Sequence, residues 1–310
     1  MEIKRILILL LKILLIFILG YYALRSIEID IFLNELTNYS SVSLLLVIAI
    51  LFLTDISVSF RWMIISKDKF ILSFESTMVA ATMNILLPAR LGEMAKAIYL
   101  KQYYKKSFNR SLSFIIFERF FDVLFLSAGA LFVLYFLVDN SLYKSIFISI
   151  FAFQLILLFI TKSHHKLLLN IIRFFPVRFL RVYIRKITKT ISRKMNTTTF
   201  VYVVITTLIV WIMNFTVTFT FLHYATGFNL SLTEIFVVFI ISGVGFVLPL
   251  LPAGALTFQA GYIFALGLYG VSETEALAAS LVFHVVYIIT MIVPGKLILL
   301  YKKRPAETNE

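Results

Sequence analysis

Six apolar runs, at about 6–24, 42–65, 111–138, 143–161, 200–223 and 276–301, limit what this chain can become. Each reaches or approaches the ~20 residues a helix needs to cross a bilayer. In lipid the backbone must satisfy its own hydrogen bonds, which leaves helices and closed barrels as spanning structures. The runs are continuous rather than alternating, so they read as helices. The expected fold class is an all-α polytopic membrane protein. Composition agrees, with 61% hydrophobic and 15% charged residues against about 25% charged in a soluble domain.

Two further regions break that regularity. Residues 72–104 and 233–270 each hold two shorter apolar pieces joined at proline: Leu87-Pro88 in the first, Leu248-Pro249 and Leu251-Pro252 in the second. Proline interrupts a helix, so each region reads as a helical hairpin, either re-entrant or of two short spans. Gly92 and Gly254 stand beside the breaks. The expectation is one transmembrane domain over 1–310, with six spanning helices plus two proline-broken hairpins. Each hairpin follows one span and precedes another, which defines repeats at about 42–138 and 200–301. Pro88 and Arg119 are 31 residues apart, Pro252 and His284 32. The extra helix 143–161 turns the second unit over, as in inverted-topology repeats whose broken helices meet near the midplane.

Loop charge supplies an orientation. Lys4 and Arg5 precede the first run, and no small-residue cleavage site follows it, so it reads as a retained helix with Lys12 snorkelling to the inner face. Loop 25–41 carries Arg25, Glu28, Asp30 and Glu35 and is acidic on balance, whereas loop 100–110 carries Lys101, Lys105, Lys106 and Arg110. The linker 162–196 holds ten Lys/Arg and no acid, and Lys302-Lys303-Arg304 closes the last helix. By the positive-inside rule the basic segments are cytoplasmic, as are both termini, in an inner membrane. The same rule accounts for the net charge of +13 without nucleic acid as a partner. Within the linker, residues 177–194 carry basic and apolar stripes at helical spacing, the pattern of a helix lying on an anionic leaflet.

Ionisable groups inside spans are costly, roughly 2.5–3.5 kcal/mol each on insertion scales, and mark polar pathways. Here they are Asp55 and Arg61 in one run, Arg90, Glu93 and Lys96 after the first break, and Glu118, Arg119 and Asp122 in a later run. At 1.5 Å per residue Glu118 lies roughly 10 Å and Asp122 roughly 16 Å from the cytoplasmic end, with Asp55 at similar depth and Arg61 nearer the interface. The four bases and four acids sum to zero. Such a set reads equally as a structural lock or as a site whose anionic ligand displaces carboxylates from arginine. The two broken helices aimed at it favour a ligand pathway. The second hairpin has no charge, and its polar neighbours include Gln259 and His284, the latter at the repeat position of Arg119. Without cysteine there is no thiolate site, and no metal-spaced set, nucleotide loop or nucleophile elbow is present. No cofactor and no enzymatic activity are expected.

Pro88-Ala89-Arg90-Leu91-Gly92-Glu93 and Glu118-Arg119-Phe120-Phe121-Asp122, with Arg61-Trp62 upstream, resemble the flippase-like transmembrane region of lysylphosphatidylglycerol synthases over nearly the whole chain. In two-part synthases that region is linked to moving aminoacylated lipid across the bilayer, while a separate soluble domain transfers the amino acid. The resemblance implies a stand-alone form without that soluble domain, with Arg90, Glu93, Glu118, Arg119 and Asp122 at the family's positions. The second half departs: Pro252-Ala253-Gly254-Ala255-Leu256-Thr257-Phe258-Gln259 replaces P-G-G-x-G-x-x-E, and His284 stands where arginine is common.

The expected activity is translocation of a phospholipid or polyprenyl-phosphate-linked lipid. Arg90 and Arg119 would bind an anionic head group, and Glu93, Glu118 and Asp122 would hold those arginines when the site is empty. Two alternatives are a membrane-embedded head-group transferase or hydrolase with Glu118 or Asp122 as base, and a non-transporting scaffold for a glycosyltransferase.

Overall fold

The structure, a computed structural model, describes residues 30, 34, 39–87, 90–137, 141–163, 170, 185, 188–189, 196–247 and 252–302. The first apolar run with Lys12, most of the loop after it, Pro88, Pro249, Lys303-Arg304, and nearly all of the basic linker with its 177–194 stripe lie outside the described residues.

Every regular element among the described residues is helical. They are α1 (Ser41–Ser66), α2 (Phe70–Leu86), α3 (Gly92–Tyr104), α4 (Phe108–Leu137), α5 (Ser141–Ser163), α6 (Thr197–Thr220), α7 (Leu232–Val247), α8 (Thr257–Gly267) and α9 (Glu273–Tyr301). A π turn, Phe221–Ala225, prolongs α6. Three stretches are long and apolar enough to cross a membrane: Ser41–Ser66, Thr197–Ala225 and Glu273–Tyr301, with mean hydropathies of 2.4, 2.1 and 2.3. Shorter apolar helices lie at Phe70–Leu86, Lys144–Ile156 and Leu232–Phe246. α4 and α5 cover the runs at 111–138 and 143–161, and α4 carries its charged residues at mid-length.

Local chemistry sets the ends. Ser40 caps α1, Asn196 caps α6 through Oδ1 to the Thr199 amide at 2.8 Å, and Ser272 with Glu275 forms a capping box on α9. α2 stops at Leu87, whose extended backbone (φ −113°, ψ 141°) is what a residue before proline adopts. The second break contains a 3-10 turn at Pro252–Gly254, with Ala253 and Leu256 at positive φ.

Lipid provides no hydrophobic drive between helices, so close approach depends on small residues and interhelical hydrogen bonds. A Cβ on Gly92 would sit 2.2 Å from the Ala80 carbonyl oxygen, which is how α3 folds back against α2. A Cβ on Gly245 would sit 2.2 Å from the Thr257 carbonyl oxygen, which closes α7 on α8 in the same way. Thr82 Oγ1 donates to the Met291 carbonyl at 2.8 Å, tying α2 to α9.

The packing has an internal correspondence. Exchange α1 with α6, α2 with α7, α3 with α8 and α4 with α9. The α2/α3 contact becomes α7/α8, α3/α4 becomes α8/α9, α2/α9 becomes α7/α4, and α1/α6 maps onto itself. α9 is the most interior of the three long helices, half of its span being buried against 22% for α1 and α6. α5 packs on α4 and exposes Ile148, Phe153, Ile156 and Phe159, an apolar face suited to lipid.

Candidate functional site

Both helical breaks open onto one cavity of about 290 Å³. α1 lines it with Thr54, Asp55 and Arg61, the first hairpin with Asn84, Arg90, Glu93 and Lys96, and α4 with Arg119 and Asp122. The far wall is Trp211 and Asn214 of α6, Phe246 of α7, Gly254, Phe258, and His284 and Tyr287 of α9. The charged first half and the neutral second half therefore share one space.

The charges on its floor are mostly paired. Arg61 is the hub: Nε donates to Glu118 Oε1 at 3.1 Å, Nη1 to Asp122 Oδ1 at 2.6 Å and Nη2 to Asp122 Oδ2 at 3.2 Å. This is the fork-on-carboxylate geometry that arginine alone provides. Glu118 is fully buried and also lies 3.7 Å from Lys96 Nζ and 3.6 Å from Arg119 Nη2. Arg119 Nη1 meets Asp122 Oδ2 at 3.0 Å, and its Nε lies 3.7 Å from Glu93. Thr207 and the Trp211 indole N–H, the latter 3.3 Å from Asp122 Oδ1, complete the shell, and Lys96 Nζ sits 3.7 Å above the Trp62 ring. Burial falls off in one direction, from side chains of Arg61 and Lys96 that are 2% exposed to Arg119 at 32%.

Three cations and three carboxylates close that network, and two residues stand outside it. Arg90 makes no ion pair among the described residues. Its Nη2 donates to the Phe246 carbonyl at 3.3 Å, with the guanidinium 5.6 Å from the Phe246 ring. Its backbone is left-handed at φ 54°, sparsely populated for a residue with a side chain and characteristic of functional turns. Asp55 is 7% exposed, makes no ion pair among the described residues and leaves Oδ2 without a hydrogen-bond partner.

These contacts correct one expectation. Glu93, Glu118 and Asp122 hold Arg61, Lys96 and Arg119, whereas Arg90 has no carboxylate partner among the described residues. Arg61 is the buried centre of the network. The zero sum concealed an unequal arrangement, because counting residues cannot reveal which base reaches which acid.

The uncharged half has its own pair. Gln259 Nε2 and His284 Nδ1 are 2.7 Å apart, with Gln259 Oε1 and His284 Nε2 unpartnered. Two of the positions at which the second half departs from the pattern it resembles, Gln259 and His284, thus touch each other. Gly254 closes on Phe246, a Cβ there coming within 3.2 Å of the Phe246 Cα, and Phe246 in turn receives Arg90. Pro252 begins the turn that places Gly254, while Pro88 and Pro249 lie outside the described residues.

The sequence of the chain matches the lysylphosphatidylglycerol synthase transmembrane region over residues 9–295. The chain belongs to that family. No curated individual protein matches it significantly. Family and helices together make this a multi-pass membrane protein.

A second cluster was not visible in the sequence. Glu75 Oε2 accepts from Tyr99 Oη at 2.9 Å and from Tyr104, and pairs with Lys302 Nζ at 3.1 Å. It fastens the start of α2 and the end of α3 to the end of α9. Glu75 and Lys302 are 227 residues apart, so no spacing could signal the contact.

Proposed function

We propose that this member of the lysylphosphatidylglycerol synthase transmembrane region family moves an anionic lipid, a phospholipid or a polyprenyl-phosphate-linked lipid, between bilayer leaflets. Arg90 carries the reading. It is a half-buried arginine without a carboxylate, set on a strained turn at a helical break and facing a cavity shared by both hairpins. Arginine's fork suits a phosphate in bidentate contact. Arg119, on the exposed rim of the network, is the second contact for the head group. Arg61, Lys96 and Glu118 form the floor against which those two work.

The six-span arrangement, with two hairpins as inverted repeats about 42–138 and 200–301, belongs to this reading and is supported by the exchange symmetry of the helix contacts. So does an inner-membrane orientation with cytoplasmic termini, supported by the basic loops. The charged floor then opens toward the cytoplasm, and residues 177–194 rest on the anionic leaflet. A head-group transferase or hydrolase finds less support, because Glu118 and Asp122 are both held by arginine.

The test is lipid exchange in proteoliposomes carrying fluorescently labelled phosphatidylglycerol, with the outer label bleached by dithionite. Wild type exchanges the leaflets, and Arg90→Glu abolishes exchange while melting in detergent within a few degrees of wild type. Full exchange by a folded Arg90→Glu protein refutes the reading.

A further inference from the structure

Tyr287 takes no part in the ion network, yet it stands beside both arginines assigned to the head group, an assignment that rests on the lipid-transport reading. It lies half-buried on α9 and lines the cavity with Arg90 and Arg119. One aromatic ring joins it to Arg90. The Phe246 ring centroid is 5.6 Å from the Arg90 guanidinium and 5.3 Å from the Tyr287 ring, the two rings meeting edge to face at 87°. Phe246 is itself fixed, by the Phe258 ring at 6.0 Å and by Gly254 against its backbone. Arg90 and Tyr287 are therefore held against one rigid spacer. Arg90 and Tyr287 also act on each other electrostatically, and Tyr287 feels Arg119, Glu93 and Asp55 as well.

Both side chains have donors to spare. Arg90 gives one N–H to the Phe246 carbonyl, in the last turn of α7 where carbonyls lack helical partners. Its other N–H groups make no hydrogen bond among the described residues, and neither does the Tyr287 hydroxyl. The correspondence of α4 with α9 gives Tyr287 a further meaning. Aligning His284 with Arg119 aligns Tyr287 with Asp122, three residues further along each helix. Where the first half has a carboxylate that accepts from arginine, the second half has a neutral O–H that can donate. A carboxylate at that place would repel a phosphate; a phenol does not.

We infer that Tyr287 is a third ligand of the head group, donating its hydroxyl hydrogen to a phosphate oxygen while Arg90 and Arg119 hold the same phosphate. Hydrogen bonds from a hydroxyl to an anionic oxygen are among the short, strong ones. The cradle draws on the first helical break, on α4 and on α9, so both halves of the chain grip one ligand. The rival role for the hydroxyl is a hydrogen bond to Asp55 or Glu93 that stiffens the cavity wall.

Tyr287→Phe separates the two, because it keeps the ring against Phe246 and removes only the hydroxyl. Full-length wild type and variant are titrated in detergent with phosphatidylglycerol, with tryptophan fluorescence as the signal, Trp211 being part of the cavity wall. Dioleoylglycerol, which carries no phosphate, serves as the control lipid. The Kd for phosphatidylglycerol should rise about ten-fold, the scale of one lost hydrogen bond to a charged group. Dioleoylglycerol binding and the lipid-free melting temperature should stay as in wild type. An unchanged Kd for phosphatidylglycerol overturns the inference. Equal weakening for both lipids, or a lipid-free melt lowered by several degrees, overturns it in favour of the structural role. If wild type binds no phosphatidylglycerol and exchanges none between leaflets, the inference falls together with the transport reading. If wild type exchanges lipid and Tyr287→Phe binds it equally well, the inference falls alone.

Discussion

Around the first helical break, six charged side chains lock together and Arg90 stays outside the ion pairs; around the second, an amide touches an imidazole and the described residues carry no charge. Both breaks nevertheless fold back in the same way, through a glycine whose missing side chain admits a carbonyl of the opposing limb, Gly92 against Ala80 and Gly245 against Thr257. The second hairpin forms without charge, so charge is not what makes a hairpin here. The ion network does a different task, holding Arg119 and the cavity floor in place. Arg90 and Asp55 take no part in it. In the proposed function the lock and the site, alternatives by charge count, fall on different residues.

The largest expected effect tests what the two halves share. Gly92→Val and Gly245→Val each place a Cβ 2.2 Å from a backbone oxygen, where no flexible side chain can yield. The cost should exceed the ~1–3 kcal/mol of ordinary overpacking. Both variants should fail to give a monodisperse peak on size exclusion in detergent. A folded Gly92→Val beside an unfolded Gly245→Val would break the comparison, because the charges would then be holding the first hairpin closed.

Helix positions were legible in the sequence because lipid enforces long apolar runs and proline marks their interruptions; 42–65 became Ser41–Ser66 and 276–301 became Glu273–Tyr301. That the ionisable residues of the spans gather at one cavity was legible for a related reason, since such groups are too costly to face lipid. Pairing was not. Arg61, Lys96 and Glu118 come from three helices, and their contacts depend on rotation of α1, α3 and α4 about their axes, which apolar runs of low amphipathicity leave unspecified. Trp211 and Phe246 were missed because aromatic residues in a membrane helix carry no signal of their own, though one donates to Asp122 and the other receives Arg90.

The next effect separates the halves. Glu118→Gln removes the carboxylate shared by Arg61, Lys96 and Arg119 and leaves buried cations without compensation. Breaking a buried ion pair from one side costs about 3–5 kcal/mol. Gln259→Leu removes one neutral hydrogen bond and strands His284 Nδ1, at about 1–3 kcal/mol. Thermal melts in one detergent should rank Glu118→Gln well below Gln259→Leu. Equal melting temperatures would mean that the charged floor contributes no more to the fold than the neutral pair does.

The smallest net effect is expected where charge is added to the neutral half. Gln259 and His284 already meet at 2.7 Å, with His284 lining the cavity, so a carboxylate and a guanidinium can occupy the same two positions. Alone, His284→Arg puts an unpaired cation beside an amide and should cost several kcal/mol, on the scale of about 3–5 for a broken buried pair. Gln259→Glu alone should cost less, because the neighbouring imidazole can take a proton and pair with it. Combined, the two substitutions exchange a neutral contact for an ion pair, and replacements between buried ion pairs and neutral partners of similar size are often close to neutral. The double variant should therefore melt within a few degrees of wild type and above His284→Arg, the difference being the coupling energy of a double-mutant cycle. A double variant no more stable than His284→Arg would show that the second half cannot accommodate the pair, and that its neutrality is imposed by the packing of Phe246, Phe258 and Tyr287 around it.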